Sequence, residues 1–204
     1  RKPNIYGLVA NAAYFIGVQV GVDSLSISMI NMKKDIVSQK DNIPYSLQNN
    51  EESLLDICKE INEFISNHSI VKEKILGVGI NLTGRINYRT GYSYSYFNFY
   101  ENPLSELFEQ NLGIPTFLEN DTKALSYAEF NSGTLADEKD ALFVNVDNGI
   151  GLGMLIDGKL YYGKSGFSGE FGHISIFEND IICKCGKKGC LETEASGYAL
   201  IRRV

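Results

Sequence analysis

The chain has 204 residues, is 44% hydrophobic and carries a formal charge of -6, enough apolar content to bury a real core in one or two domains. Its acidity excludes a nucleic-acid grip by this segment itself, because phosphate contacts need a concentrated basic surface and Arg1-Lys2 and Arg202-Arg203 are only isolated basic pairs. No apolar run approaches the roughly 18 residues that cross a bilayer, and no signal-peptide pattern opens the chain, so a cytoplasmic protein with no membrane partner is expected.

The first third reads as strands. Ala13 to Val20 is a buried strand with Gly17 inside it, and Leu25 to Asn31 alternates, with Leu25, Ile27 and Met29 on one face. Ile36 to Tyr45 is a third strand, ended near Pro44, and the turns at Gly21-Val22-Asp23-Ser24 and Lys33-Lys34-Asp35 make the three an antiparallel meander. From Glu51 to Ser66, Leu54, Cys58, Ile61 and Ile65 recur at helical spacing behind Asn49 or Asn50 as N-cap, and Cys58 on this face is simply core. Ile75 to Leu82 then gives a buried strand turning at Thr83-Gly84-Arg85, so the helix before it is a crossover onto the same sheet. The run Tyr92 to Tyr100 alternates Tyr and Ser as an exposed extended segment would, with a partly buried aromatic loop as the equal alternative; carbohydrate sites use such rings against sugar faces.

Pro103 starts a short helix through Leu104, Leu107 and Phe108, and Gly113 to Asp121 holds a short strand ending in Asn120-Asp121, followed by a helix from Thr122 to Asn131. Ligand sites in α/β proteins favour the carboxyl ends of strands, though either residue could serve only to cap the helix. Asp140 to Val146 is another strand. Gly149, Gly151 and Gly153 form a glycine-rich turn whose amides could cradle a phosphate, leading into a hairpin from Met154 to Tyr162 around Asp157-Gly158. A last helix begins near Glu194, and the domain junction is expected near Leu118.

Three cysteines within eight positions, Cys183, Cys185 and Cys190, follow His173 by ten residues and are joined by glycines. That is the donor inventory of a closed Cys3His zinc site. The alternative, a Cys183–Cys190 disulfide or three buried thiols, explains neither the clustering nor the histidine. Four protein ligands leave no position for a catalytic water, so the metal would be structural, clipping a loop too poor in apolar residues to hold its own shape. Glu170 precedes His173 by three residues and Glu192 follows Cys190 by two, so the same clip would bring two carboxylates together as candidates for a ligand site.

The runs Gly166-Phe167-Ser168-Gly169-Glu170-Phe171-Gly172-His173 and Cys183-Lys184-Cys185-Gly186-Lys187-Lys188-Gly189-Cys190-Leu191-Glu192 resemble, in residue type and spacing, the two signature motifs of the ROK family. That family comprises sugar-responsive transcriptional repressors and sugar kinases, and further matches run along most of the chain. The resemblance implies an α/β fold of the actin-like, ribonuclease-H-like ATPase type, with two α/β domains around a cleft: residues 1–118, and an incomplete second domain, residues 119–204, carrying the zinc-binding loop. It implies that His173, Cys183, Cys185 and Cys190 bind the zinc and that Glu170, His173 and Glu192 face a sugar's hydroxyls. By the same resemblance Gly84 and Arg85 line the cleft, Asn98 contacts sugar, and Asn120-Asp121 meet the reacting hydroxyl, with Asp121 the general base in kinases and a hydrogen-bonding partner in repressors. The implied partners are a small-molecule sugar or sugar phosphate, DNA only through a domain outside this chain, and further copies in a homodimer or homotetramer.

The resemblance also separates the branches. ROK kinases carry Asp-x-Gly-Gly-Thr at the first phosphate turn, where this chain has Gln19-Val20-Gly21-Val22-Asp23. A Cβ at Val22 crowds a phosphate that needs direct backbone approach, and a β-branched residue resists positive φ. Asn148 stands where kinases have Thr, and Arg1-Lys2-Pro3 resembles the segment by which ROK repressors leave their winged helix-turn-helix domain. The effector-binding part of a repressor is therefore expected. A sugar kinase using Mg-ATP, and a zinc-stabilised interaction module with no sugar site, are the alternatives.

Overall fold

Period-two alternation of apolar with small or polar residues sets the first two strands of the computed structural model, which describes residues 6–68, 70–133, 135 and 137–203. The Arg1-Lys2-Pro3 segment lies outside the described residues. By its contacts the chain divides into two units, Arg1–Asn120 and Asp121–Val204. None of the described helices is long and apolar enough to cross a membrane.

In the first unit β1 (Tyr14–Val20), β2 (Ser24–Asn31) and β3 (Ile36–Pro44) form the expected antiparallel meander. On the other side of β1 lie β4 (Ile75–Leu82) and, beyond two short strands of a separate ribbon, β7 (Thr116–Asn120), both parallel to it, giving the order β3-β2-β1-β4-β7. The crossover from β3 to β4 is α1 (Glu51–Ser66), whose N-cap is Asn50: its side chain accepts from Ser53 N at 2.9 Å. Leu54, Ile57, Cys58, Ile61, Phe64 and Ile65 form its buried face. With Leu104, Phe108 and Leu112 of α2 (Leu104–Leu112), they share one core with Ile16, Val18, Val20, Leu25, Ile27 and Met29 of the sheet. Burial pushes the Cys58 thiol up to about 12, so it is an inert protonated core group at neutral pH.

One reading of this unit changes, and one pair of alternatives is decided. β1 and β4 were expected to be buried strands, but both expose residues: Phe15 and Gln19 on β1, where burial alternates, and Leu76 and Gly79 on β4, where Gly77 and Val78 between them are both buried. Glycines at 17 and 79 supply part of that exposure, so apolar-plus-glycine runs overstate burial. Of the two readings of the aromatic run, the partly buried loop is the one found. Only β6 (Tyr92–Ser93) is extended, paired with β5 (Ile86–Asn87); beyond it the chain bends back, Ser93 and Phe97 are buried, and Phe97 takes a positive φ of 55°. Asn49 holds that bend, accepting from Phe97 N at 2.5 Å.

The second unit opens with α3 (Asp121–Ser132), followed by an antiparallel sheet of β8 (Ala141–Val146), β9 (Ile150–Ile156) and β10 (Lys159–Leu160). The β9–β10 turn has positive φ at both Asp157 (50°) and Gly158 (72°), as a two-residue type I′ hairpin requires. The expected glycine-rich turn is shorter than its sequence suggests: Gly151 and Gly153 lie inside β9, paired with Asn145 and Phe143. Their missing side chains make room for α3, since a Cβ at Gly151 would fall 2.1 Å from Thr122 Oγ1 and one at Gly153 1.8 Å from Ser126 Oγ. A short 3-10 turn at Phe171–His173 and the helices α4 (Glu192–Ala195) and α5 (Gly197–Arg203) complete the unit.

Candidate functional site

In the first unit, parallel pairing aligns Val20 with Leu82 and Leu82 with Asn120, so three strands end in one row. Three of the candidate segments leave from that row, as expected for carboxyl strand ends. At β4 the turn needs Gly84, with φ of 94° and no room for a Cβ, which would sit 2.4 Å from that of Ser95. Asn120 Nδ2 donates to the Gly84 carbonyl at 2.9 Å, and Arg85 N donates to Ser95 Oγ at 3.0 Å. Asn98 is tied from a distance: its Oδ1 accepts from Asn49 Nδ2 at 3.1 Å. Ser95 is thus a supporting residue that sequence reading did not single out, and Asn49, offered there as an N-cap, supports Asn98 while Asn50 caps the helix. Asn49 lies 49 positions from Asn98, and no local pattern reports such a pairing.

The turn after β1 closes without a left-handed residue. Gly21 N donates to Ser24 O at 2.8 Å and Leu47 N to Val22 O at 2.9 Å, and Val22 is absent from the positive-φ positions. Asp121, on the step after Asn120, accepts from Thr122 N at 2.6 Å, a local bond at the helix start.

In the second unit the carboxylates are placed by glycines. Gly166 and Gly169 have φ of 84° and 83°, and the Gly169 carbonyl accepts from Leu152 N at 3.1 Å, which lays the segment before Glu170 against β9. Glu192 Oε2 accepts from Ile150 N at 3.0 Å, and a Cβ at Gly149 would approach that oxygen to 2.6 Å. Asp147 N donates to Gly149 O at 3.0 Å, and the Asp147 carbonyl accepts from Gly197 N at 2.7 Å. The amides of Asp147, Ile150 and Leu152, among those a phosphate could use here, are therefore already engaged by protein oxygens.

Around His173 the expected ligand set comes together: one donor atom from each of His173, Cys183, Cys185 and Cys190 lies within 4.8 Å of all the others. Cys183 Sγ is 3.4 Å from His173 Nδ1 and Cys185 Sγ is 3.6 Å from Cys190 Sγ. Tetrahedral zinc, with bonds of about 2.3 Å to sulfur and 2.0–2.1 Å to nitrogen, would separate such atoms by about 3.6–3.8 Å, so the residues fit. All three cysteines are free thiols. The loop is shaped by Gly186 and Gly189 at φ of 87° and 72° and by bridges pairing Ser175 with Cys190 and Ile182 with Lys188. Lys187 Nζ donates to the His173 carbonyl at 2.7 Å, a support sequence reading missed. Burial pushes the Cys183 thiol up to about 12, whereas Cys185, though its own burial works the other way, is held below its ordinary value by hydrogen bonds from the Lys187 backbone and the neighbouring thiols. A metal binds thiolates, so loading this cluster displaces protons.

With Nδ1 turned to the sulfurs, the other ring nitrogen of His173 lies 3.8 Å from Glu170 Oε2. One imidazole thus links the cluster to a carboxylate.

Comparison with known proteins bears on family and fold. The ROK family model matches residues 15–204. A putative xylose repressor of Caldicellulosiruptor sp. (strain Rt8B.4) is 31% identical over 204 residues, covering 98% of this chain and 51% of that protein. The chain thus spans about half the length of the curated relatives it matches, among which stand both xylose repressors and glucokinases. Of solved structures, a ROK family transcriptional regulator that is a homolog of the E. coli MLC protein superposes with a TM-score of 0.77 at 26% identity, covering 94% of this chain and 49% of that one. A ROK family glucokinase from Streptomyces griseus, in complex with glucose and AMPPNP, superposes with a TM-score of 0.78 at 27% identity, covering 93% and 59%.

Proposed function

The chain belongs to the ROK family, with its actin-like ATPase fold, and from that premise we propose that it is the effector-binding portion of a sugar-responsive transcriptional regulator. A pentose or hexose is bound, and its binding energy shifts an attached DNA-binding domain, outside this chain, between two states. Xylose repressors among the relatives make D-xylose, and the glucose-bound glucokinase makes D-glucose, the first sugars to test.

The observation that carries this reading is the state of the two phosphate turns. The first has Gln19 for an acidic residue and Val22 for a glycine. At the second, Glu192 occupies the Ile150 amide. Carboxylates suit a neutral polyol, whose hydroxyls donate to them; they repel a nucleotide's phosphates. The sugar-facing residues proposed are Asn98 and Asn120, with Gly84 and Arg85 at the adjoining turn, and Asp121, Glu170, His173 and Glu192. Zinc is the metal proposed for His173, Cys183, Cys185 and Cys190. Bound there it would supply no open coordination position and would serve to fix Glu170 and Glu192.

A second reading is a sugar kinase with Asp121 as general base and Mg-ATP as donor. It is favoured by the likeness to the glucokinase and by Asp121 standing at the carboxyl end of β7. Calorimetry separates the two. Titrated with D-xylose, D-glucose and Mg-ATP, the intact protein is expected to bind a sugar without nucleotide, to lose that binding in Glu192→Gln, and to show no turnover; robust ATP binding with sugar phosphorylation would overturn the regulator reading.

A further inference from the structure

Lys123 is the one buried lysine among the described residues, at 4% exposure. It lies on α3 two residues past Asp121. Its Nζ donates to the Ser168 carbonyl at 2.7 Å, lies 3.5 Å from Ser168 Oγ, and stands 5.7 Å from the Tyr162 ring centroid. Ser168 is itself held on the β10 side, its N donating to Tyr162 O at 3.2 Å and its Oγ to Tyr161 O at 2.5 Å. The next carbonyl, Gly169, is bonded to β9. Glu170 follows immediately.

Burying an ammonium is costly, and a methionine would fill the same space without that cost. What a methionine cannot do is make a charge-assisted hydrogen bond to a main-chain oxygen at a chosen point. The ammonium reaches 45 positions along the chain to the residue that precedes Gly169 and Glu170. On the reading that Glu170 faces the sugar, on which this inference rests, we infer that Lys123 is a positioning residue: it locks the Gly166–His173 segment to the helix that begins with Asp121, so that Glu170 is presented in a fixed place relative to Asp121.

The test is calorimetry of the intact protein with D-xylose and D-glucose, on Lys123→Met, Lys123→Arg, Glu170→Gln and the double variant Lys123→Met/Glu170→Gln. Lys123→Met should weaken sugar binding about tenfold or more, Lys123→Arg should restore most of it, and metal content should stay at the parent level in both. Because Lys123 acts through Glu170, the double variant should be little weaker than Glu170→Gln alone. Amide exchange at Leu152 and Ser168 should accelerate in Lys123→Met, a readout independent of ligand; Lys123→Gln carries the same measurements if the methionine variant does not fold. A Lys123→Met affinity within twofold of the parent, while Glu170→Gln weakens binding, would overturn the role of Lys123 alone. A parent that binds neither sugar would overturn the proposed function, and this inference with it.

Discussion

The two units of this chain are held by different physics. Residues up to Asn120 are organised by area: α1 and α2 lay apolar faces on one side of a five-stranded sheet, and each fully buried Leu or Ile there contributes about 1.5–3 kcal/mol. Residues from Asp121 on are organised by particular atoms. There α3 rests on β9 through Thr122 and Ser126 over two glycines, and the segment from His173 to Cys190 is gathered by one imidazole and three sulfurs. The contrast teaches where each unit is fragile: the first loses stability in proportion to what is removed, and the second fails at single positions.

The largest expected effect strikes the second unit. Removing the metal with a chelator, or replacing a ligand in Cys190→Ser, withdraws binding energy on the order of 10 kcal/mol if the cluster behaves like other structural zinc sites. Amide protection should vanish from residues 171–195, and sugar binding with it, while protection in β1, β2, β4 and α1 persists. Uniform loss of protection would abolish the distinction drawn here. The converse perturbation is Ile61→Ala, which hollows the α1 interface and should cost about 2–5 kcal/mol in the first unit. Metal content by atomic absorption should not change; a fall would show that the cluster depends on the apolar core.

What could be read from the sequence follows the same division. The meander and α1 were legible because a period of two or 3.6 and a cap at Asn50 are local signals. The His173, Cys183, Cys185 and Cys190 cluster was legible too, since His173 and Cys190 are only 17 positions apart. Glycines were misread. Gly17, Gly77 and Gly79 made β1 and β4 look buried on both faces, and Gly151 and Gly153 looked like a loop, because a glycine's reason lies in what packs against it. For Gly153 that partner is Ser126, 27 positions away on a helix with no apolar stripe to announce its buried side. The bend after Ser93 was hidden for a similar reason: Asn49, far back at the start of α1, holds it.

The smallest effect is the most specific. Gly153→Ala places a Cβ 1.8 Å from Ser126 Oγ and 2.5 Å from Ser126 Cβ, so α3 must shift or the rotamer must break, at a cost of about 1–3 kcal/mol. Ser126→Gly alone costs about 0.5 kcal/mol of helix propensity and the Ser126 hydroxyl bond to the Thr122 carbonyl, which is 2.6 Å long. If close approach of helix to strand is the reason for the glycine, moving it from the strand to the helix should recover part of the loss, and Gly153→Ala/Ser126→Gly should be more stable than the sum of the single changes predicts by about 0.5–3 kcal/mol. Urea unfolding of the four proteins measures that coupling. Strict additivity would mean that Gly153 is required for something other than Ser126, and the atom-by-atom account of the second unit would have to start again from β9.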